Sequence, residues 1–167
     1  MTMKRTGSKV NPLNYYAITK LQIDYFIQDN LDKFSSIQSF RYFNVYGDGE
    51  NHKGDQASPI SKFTQQIRET GKLKLFEGSD KFLRDFICVD DIVNVVLNNE
   101  APSGIYDLGT SKPISFQEVA ELVAKKEGGE IEYIPFPDHL VGKYQNYTCA
   151  KEEFNYEFKT VKEYLLQ

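Results

Sequence analysis

The chain of 167 residues has little of what marks a specialised protein class. No apolar run approaches the ~20 residues a membrane-spanning helix needs, so no membrane partner is expected. The opening "MTMKRTGSKV" is basic, but no apolar stretch follows it, so it does not read as a signal peptide. There are two cysteines, Cys88 and Cys149, which could pair only once, and without secretory features reduced thiols are expected. Without secretion, the acceptor pattern Asn146-Tyr147-Thr148 carries no meaning as a glycosylation site. The two histidines, His52 and His139, belong to no cluster with metal-ligand spacing, so no zinc site is expected. A net charge of −4 and a pI of about 5.3 argue against a nucleic-acid partner. A cytoplasmic protein is the expectation. A further absence bears on cofactors: no Gly-rich phosphate loop follows any expected strand. Gly47-Asp48-Gly49 lacks the third glycine, and Gly128-Gly129 follows a helix. The chain by itself has no pyrophosphate cradle of the usual kind.

What is present reads as one ordinary globular domain, with two small lobes possible. Apolar periodicity and caps predict a helix over 11–34, with Asn11-Pro12 or Asn14 at its start and a broad apolar face. "IQSFRYFNVYG" (37–47) reads as a strand and 48–58 as a loop. Pro59 opens a helix over 59–70 that Gly71 ends. Short strands are expected at "KLKLFEG" and "FICV", followed by a helix at "DDIVNVVLNN" with acidic residues in its first turn. "SGIYDLGT" is a strand. "SFQEVAELVAKKEGG" is an amphipathic helix with Ser115 and Glu118 as a capping box and Gly128 at its end. "EIEYIPFP" is a strand, and "KTVKEYLLQ" a short last helix. Strands alternating with helices imply an α/β sheet protein.

Several constellations can carry chemistry. Tyr16 and Lys20 lie one turn apart on a helix face, where an ammonium favours a phenolate and makes the tyrosine a usable proton shuttle. Tyr147 and Lys151 have the same spacing without the flanking apolar periodicity, and roughly one such match is expected by chance. Asn44 sits near the end of a strand, where ligands bind in open α/β sheets, whereas Tyr42 and Phe43 are expected in the core. Lys53, between His52 and Gly54, can approach a ligand closely or stand solvated. Arg84 follows a glycine turn and suits bidentate phosphate binding, with a solvated arginine as the alternative. Asp90-Asp91 is a paired carboxylate better explained by helix-dipole and capping duties.

Taken in order, "PLNYYAITK", "FRYFNVYG", "HKGDQAS", "KLFEGSDKFLRDFICVDDI", "SGIYDLGTSKPISFQEVA" and "IEYIPFPDHLVGKYQ" resemble one family. They resemble extended short-chain dehydrogenase/reductases that act on nucleotide sugars, in particular the branch that epimerises ADP-L-glycero-D-manno-heptose at C6. The resemblance runs from about residue 11 to the C-terminus and corresponds to the second half of such enzymes. It implies a Rossmann-like α/β fold with a small substrate-binding lobe, the N-terminal dinucleotide-binding half being absent. On that basis 1–47 and 85–100 would be the Rossmann-like portion, and 48–84 and 101–167 the substrate lobe. By resemblance Tyr16 and Lys53 are the two acid/base residues, and Lys20, Val45 and Lys53 contact the cofactor, NADP. Asn44, Asp55, Lys62, Phe76, Glu77, Gly78, Ser79, Arg84 and Tyr144 match substrate-binding positions for ADP-heptose. Asp55 stands where the family has a small hydroxyl residue, and Lys62 where it has an imidazole. The resemblance also implies a homo-oligomer, or an N-terminal half supplied in trans. The alternatives are a non-catalytic remnant or accessory sugar-nucleotide-binding module, or a related UDP- or dTDP-sugar epimerase or dehydratase. The missing strands would leave an unpaired sheet edge and an exposed apolar helix face.

Overall fold

The computed structural model describes residues 3–6, 9–12, 14–142 and 144–167. Strands β1 (Met3–Thr6) and β2 (Lys9–Pro12) form an antiparallel hairpin that was not expected. Helix α1 is Tyr15–Asp29, shorter than the expected 11–34. Pro12 belongs to β2, residue 13 lies outside the described residues, and Asn14 caps, its Oδ1 accepting the Ala17 N–H at 2.9 Å. The helix stops at Asn30, whose Nδ2 donates to the Phe26 carbonyl at 2.7 Å, and Leu31–Lys33 is a separate 3-10 turn.

The expected strand 37–47 is two strands with different partners. Strand β3 (Gln38–Tyr42) pairs in parallel with β8 (Gly104–Leu108), and β4 (Asn44–Tyr46) in parallel with β7 (Phe86–Cys88). The change of partner falls between two neighbouring amides: Phe43 N–H donates to the Leu108 carbonyl and Asn44 N–H to that of Asp85. Because β8 pairs with β3, the two portions expected from the resemblance share this ladder. The loop 48–58 contains a 3-10 segment, Glu50–Gln56. Helix α2 (Pro59–Thr70) leads into β5 (Lys72–Phe76), which pairs in parallel with β10 (Glu130–Ile134). Two residues on each side, β6 (Leu83–Arg84) and β9 (Ile114–Ser115), make a short antiparallel pair too small for sequence periodicity to reveal. Helices α3 (Val89–Asn98), α4 (Phe116–Glu127) and α5 (Val161–Leu165) complete the order. In α4 the Ser115–Glu118 capping box is formed and Gly128 closes the helix at φ 73°.

Period-2 alternation divides the interior. On β7, Phe86 and Cys88 join a core with Ile60, Phe63, Leu73 and Val119, while Ile87 turns to a second cluster with Ile92, Val95 and Leu108. On β4, Tyr46 enters the first core and Val45 packs on the second cluster. Tyr42, expected inside, is exposed at the end of β3, where it stacks on Phe40, the β3 residue that packs on the second cluster. Helix α1 buries only Ala17, Asp24 and Ile27, so much of the expected apolar face, including Ile18 and Tyr25, stands in solvent.

Buried polar groups tie these pieces together. Asp85 is fully buried: Oδ1 accepts from Thr110 N–H (2.7 Å) and Thr110 Oγ1 (2.6 Å), and Oδ2 from Ser111 N–H (2.9 Å) and Ala150 N–H (2.8 Å). Arg41 bridges Asp24 on α1 (2.8 Å) and Asp107 on β8 (3.2 Å). Asp91 does not cap α3. Its N-cap is Cys88, with no side-chain capping bond, and the Asp91 carboxylate instead accepts from Tyr156 OH (3.1 Å) and Lys159 N–H (2.7 Å), anchoring the C-terminal segment.

Replacing Asp85 with Asn tests this arrangement. The amide keeps the shape but sets an NH2 group against donors that now face an oxygen. The expected cost is about 3 kcal/mol or more. That lowers the melting temperature by roughly 6–12 °C for a chain of this size. Thermal unfolding followed by circular dichroism reads it, and a shift within about a degree would show that the carboxylate is not structural.

Candidate functional site

The residues expected in the site fall in three places. The first is α1, where the i, i+4 spacing sets Lys20 Nζ over the Tyr16 ring, 5.2 Å from its centroid. Tyr16 is 59% exposed, so its phenol is open to an incoming ligand. The competing pair does not form this arrangement. Tyr147 and Lys151 lie outside any helix, and interaction with Cys149 pushes the Tyr147 phenol up, away from acid/base use near neutrality.

The second place is the end of β4 and its following loop. Asn44 opens β4 and Val45 is half-buried on the second cluster. Lys53 and Asp55 lie in the exposed 3-10 segment. Gly54 breaks that segment at φ 50°, ψ −124°, a conformation glycine adopts without a steric penalty. Lys53 Nζ reaches Glu50 Oε2 at 3.4 Å.

The third is a cleft of about 680 Å³, large enough for a nucleotide-sized ligand. Its walls follow from secondary-structure period. Along α2, Lys62, Gln66 and Thr70 recur every four residues on one face, while Ile60, Phe63 and Ile67 fill the core behind. Along β5, Lys72, Lys74 and Phe76 face the cleft and Leu73 and Leu75 the core. Phe76 begins the turn that continues through Glu77, Gly78 (φ 78°) and Ser79. Ser79 Oγ donates to the Phe76 carbonyl at 2.6 Å and holds that turn shut. Lys62 Nζ donates to the Asp55 carbonyl at 3.1 Å, so the cleft and the Lys53 loop meet there.

Arg84 is neither solvated nor free. It is 7% exposed, with its guanidinium held between the rings of Phe116 and Tyr144, 5.5 and 5.1 Å from their centroids. It donates to the carbonyls of Leu83 (2.9 Å) and Gln145. Burial pulls its pKa down while Tyr144 opposes the shift. Tyr144 also packs edge-on against Phe82 (4.9 Å) and Phe136 (5.9 Å), and Phe136 against Phe76 (5.6 Å).

The cleft thus gathers Lys62, Phe76, Ser79 and Tyr144, with Arg84 stacked behind Tyr144. Tyr16, Lys20, Asn44, Val45, Lys53 and Asp55 do not line it. Sequence reading missed Lys74, Phe82, Phe116 and Phe136. The alternation of "KLKLF" was the available signal for Lys74; the aromatics come together only through tertiary packing. No group of residues suited to hold a metal occurs among the described residues, and no helix there is long and apolar enough to cross a membrane.

Known proteins resemble this arrangement. Over 149 residues the chain is 46% identical to the ADP-L-glycero-D-manno-heptose-6-epimerase of Alkalilimnicola ehrlichii, covering 83% of this chain and 47% of that protein. The crystal structure of the Helicobacter pylori ADP-L-glycero-D-manno-heptose-6-epimerase superposes with a TM-score of 0.79 at 25% identity, over 99% of this chain and 53% of the other. The UDP-N-acetylglucosamine 4-epimerase of Methanobrevibacter ruminantium shares the fold, with a TM-score of 0.76 at 16% identity, over 98% of this chain and 56% of that one. The chain spans about half the length of these relatives. Its fold is that of the Rossmann-like extended short-chain dehydrogenase/reductases. With residues 2–109 matching it, the chain belongs to the NAD dependent epimerase/dehydratase family.

Proposed function

We propose that this chain is the substrate-binding half of an NADP-dependent epimerase that inverts C6 of ADP-L-glycero-D-manno-heptose. The observation that carries the reading is the aromatic and basic cleft. Its lysines suit a diphosphate, its rings suit a nucleobase or sugar face, and it unites four of the expected substrate residues. The 46% identity to a protein bearing that activity supports it.

The inverted carbon has no adjacent carbonyl to acidify its hydrogen, so direct proton removal would be slow. Passing through a ketone avoids this. When bound, the nicotinamide supplies reversible hydride acceptance. The chain's own residues would do the rest. Tyr16, beside Lys20, takes and returns the hydroxyl proton on one face. Lys53 serves the other face from the loop. Lys20 and Val45 would contact the nicotinamide end, and Lys62 would pair with the diphosphate, with Arg84 adding its charge from behind Tyr144. Asn44, Asp55, Glu77 and Gly78 complete the substrate contacts in this reading.

The residues present fit the cofactor only at that end. A dinucleotide pyrophosphate needs free amides at a helix N-terminus. The N-termini of α1, α2, α4 and α5 are capped by the side chains of Asn14, Ser58, Ser115 and Thr160, and α3 carries Asp90 and Asp91 in its first turn, which repel an anion. The half of the relatives that this chain does not span is the expected source of the cradle and of the cover for the exposed side of α1.

Three outcomes are expected. In a reconstituted enzyme, Tyr16→Phe lowers turnover by about two orders of magnitude or more while Tyr147→Phe is near neutral. Equal losses with the fold intact would mean the wrong pair was chosen. Lys53→Met slows epimerisation yet retains cofactor; wild-type turnover would make Lys53 a solvated loop residue. In calorimetric titration, the lone chain binds NADP weakly or not at all but still takes up ADP-heptose. Micromolar NADP affinity would contradict the capping argument, and a folded chain binding neither ligand would favour a non-catalytic remnant.

A further inference from the structure

We propose that Glu50 is the positioning residue of the Lys53 loop: its carboxylate closes the loop over 47–58 and holds the Lys53 ammonium in one place. The functional value of that placement rests on the reading of Lys53 given above. Residues 51–56 are all exposed, yet Glu50 is only 5% exposed. Its Oε1 accepts from Ser58 Oγ (2.6 Å) and Gly47 N–H (3.3 Å), and its Oε2 from Ser58 N–H (2.8 Å) and Lys53 Nζ (3.4 Å). Gly47 follows β4 and Ser58 caps α2, so one carboxylate joins the two rigid ends between which the loop is strung. A buried carboxylate persists when donors saturate it, as here.

The geometry explains why lysine three residues on is the residue held. In a 3-10 segment the side chains at i and i+3 eclipse, so Lys53 lies directly over Glu50. An unheld lysine samples many rotamers, and an acid/base must occupy a single position near the substrate. From the other side, the ring of Tyr164 on α5 faces the same end of the loop. Its hydroxyl donates to Asp48 at 2.7 Å, and the nearby Glu50 charge helps push the Tyr164 pKa up, after burial and Asp48. Burial opposes ionisation of Glu50, but the hydrogen bonds from Ser58, with Lys53 and Gly47, outweigh it and lower its pKa. The carboxylate is therefore an anion at neutral pH.

Two activity-independent measurements on the full chain test this: trypsin cleavage after Lys53, and the rate of acylation of its amine at mildly alkaline pH relative to Lys125. The variants are Glu50→Gln, which removes the charge, and Ser58→Ala, which loosens the loop but leaves the carboxylate beside Lys53. Both are expected to speed cleavage. Relative acylation of Lys53 should rise about threefold in Glu50→Gln, the scale of losing a partly exposed ion pair, and clearly less in Ser58→Ala. If Glu50→Gln does not fold by circular dichroism, Glu50→Asp replaces it. The shorter acid should still close the loop yet release Lys53 in part, giving an intermediate acylation rate. No rise in acylation in the glutamate variant, or an equal rise in both variants, overturns the positioning role. The turnover of Lys53→Met is read separately, so that failure of the catalytic assignment is distinguished from failure of the positioning one.

Discussion

The buried carboxylate of Asp85 is the interaction on which the remaining architecture depends. It stands just before β7 and receives Thr110 and Ser111 from the turn after β8 and Ala150 from the irregular C-terminal segment. Three stretches distant in sequence are joined at one ion whose desolvation cost is offset by the donors around it. Gly109 is glycine for the same reason: a Cβ there would stand 2.8 Å from Asp85 Oδ2 and 2.7 Å from the Ala150 side chain. Because neighbouring residues of an extended chain point to opposite sides, Asp85 turned inward leaves Arg84 facing the rings of the cleft.

Around that point, the sheet is a partition. Strand β7 places Phe86 and Cys88 in the larger core and Ile87 in the smaller cluster, and β4 follows the same division. The larger core fixes α2, β5 and α4 against one another, so the outward faces of α2 and β5 become the walls of the cleft. The smaller cluster holds α3 beside Phe154, Tyr156 and Phe158, with Asp91 fastening the same segment by hydrogen bonds. Cleft wall and core are thus two sides of the same elements.

The groups proposed for proton transfer are less enclosed than those proposed for substrate binding. Tyr16 and Lys20 lie on α1, held to the sheet by the Asp24–Arg41–Asp107 ion pairs but exposed on its other side. Lys53 rides a loop whose closure depends on Glu50 and Ser58. The cleft residues, by contrast, sit on regular elements or in a packed aromatic cluster. A chain that spans half of its relatives' length therefore carries a well-formed cleft and, on α1, an exposed face that bears the proposed acid/base pair.

Local rules were legible in the sequence because they act within a few residues. The Ser115–Glu118 capping box, the Pro59 start of α2 and the glycine ends at Gly71 and Gly128 stand where spacing put them. The alternating strand–helix order made the α/β class readable, and the order of the motifs made the family readable. What the sequence could not show was decided by contacts between distant residues. Strand 37–47 breaks at Phe43 because two different strands bond to its two halves. Asp91 became an anchor rather than a cap because Tyr156 and Lys159 fold back onto it. Arg84 became a buried, ring-stacked cation because Phe116 and Tyr144, 32 and 60 residues further on, close over it. Hydrogen-bond caps need only neighbours, and composition and spacing record neighbours; partners brought together across the chain are selected by packing, which only the tertiary structure expresses.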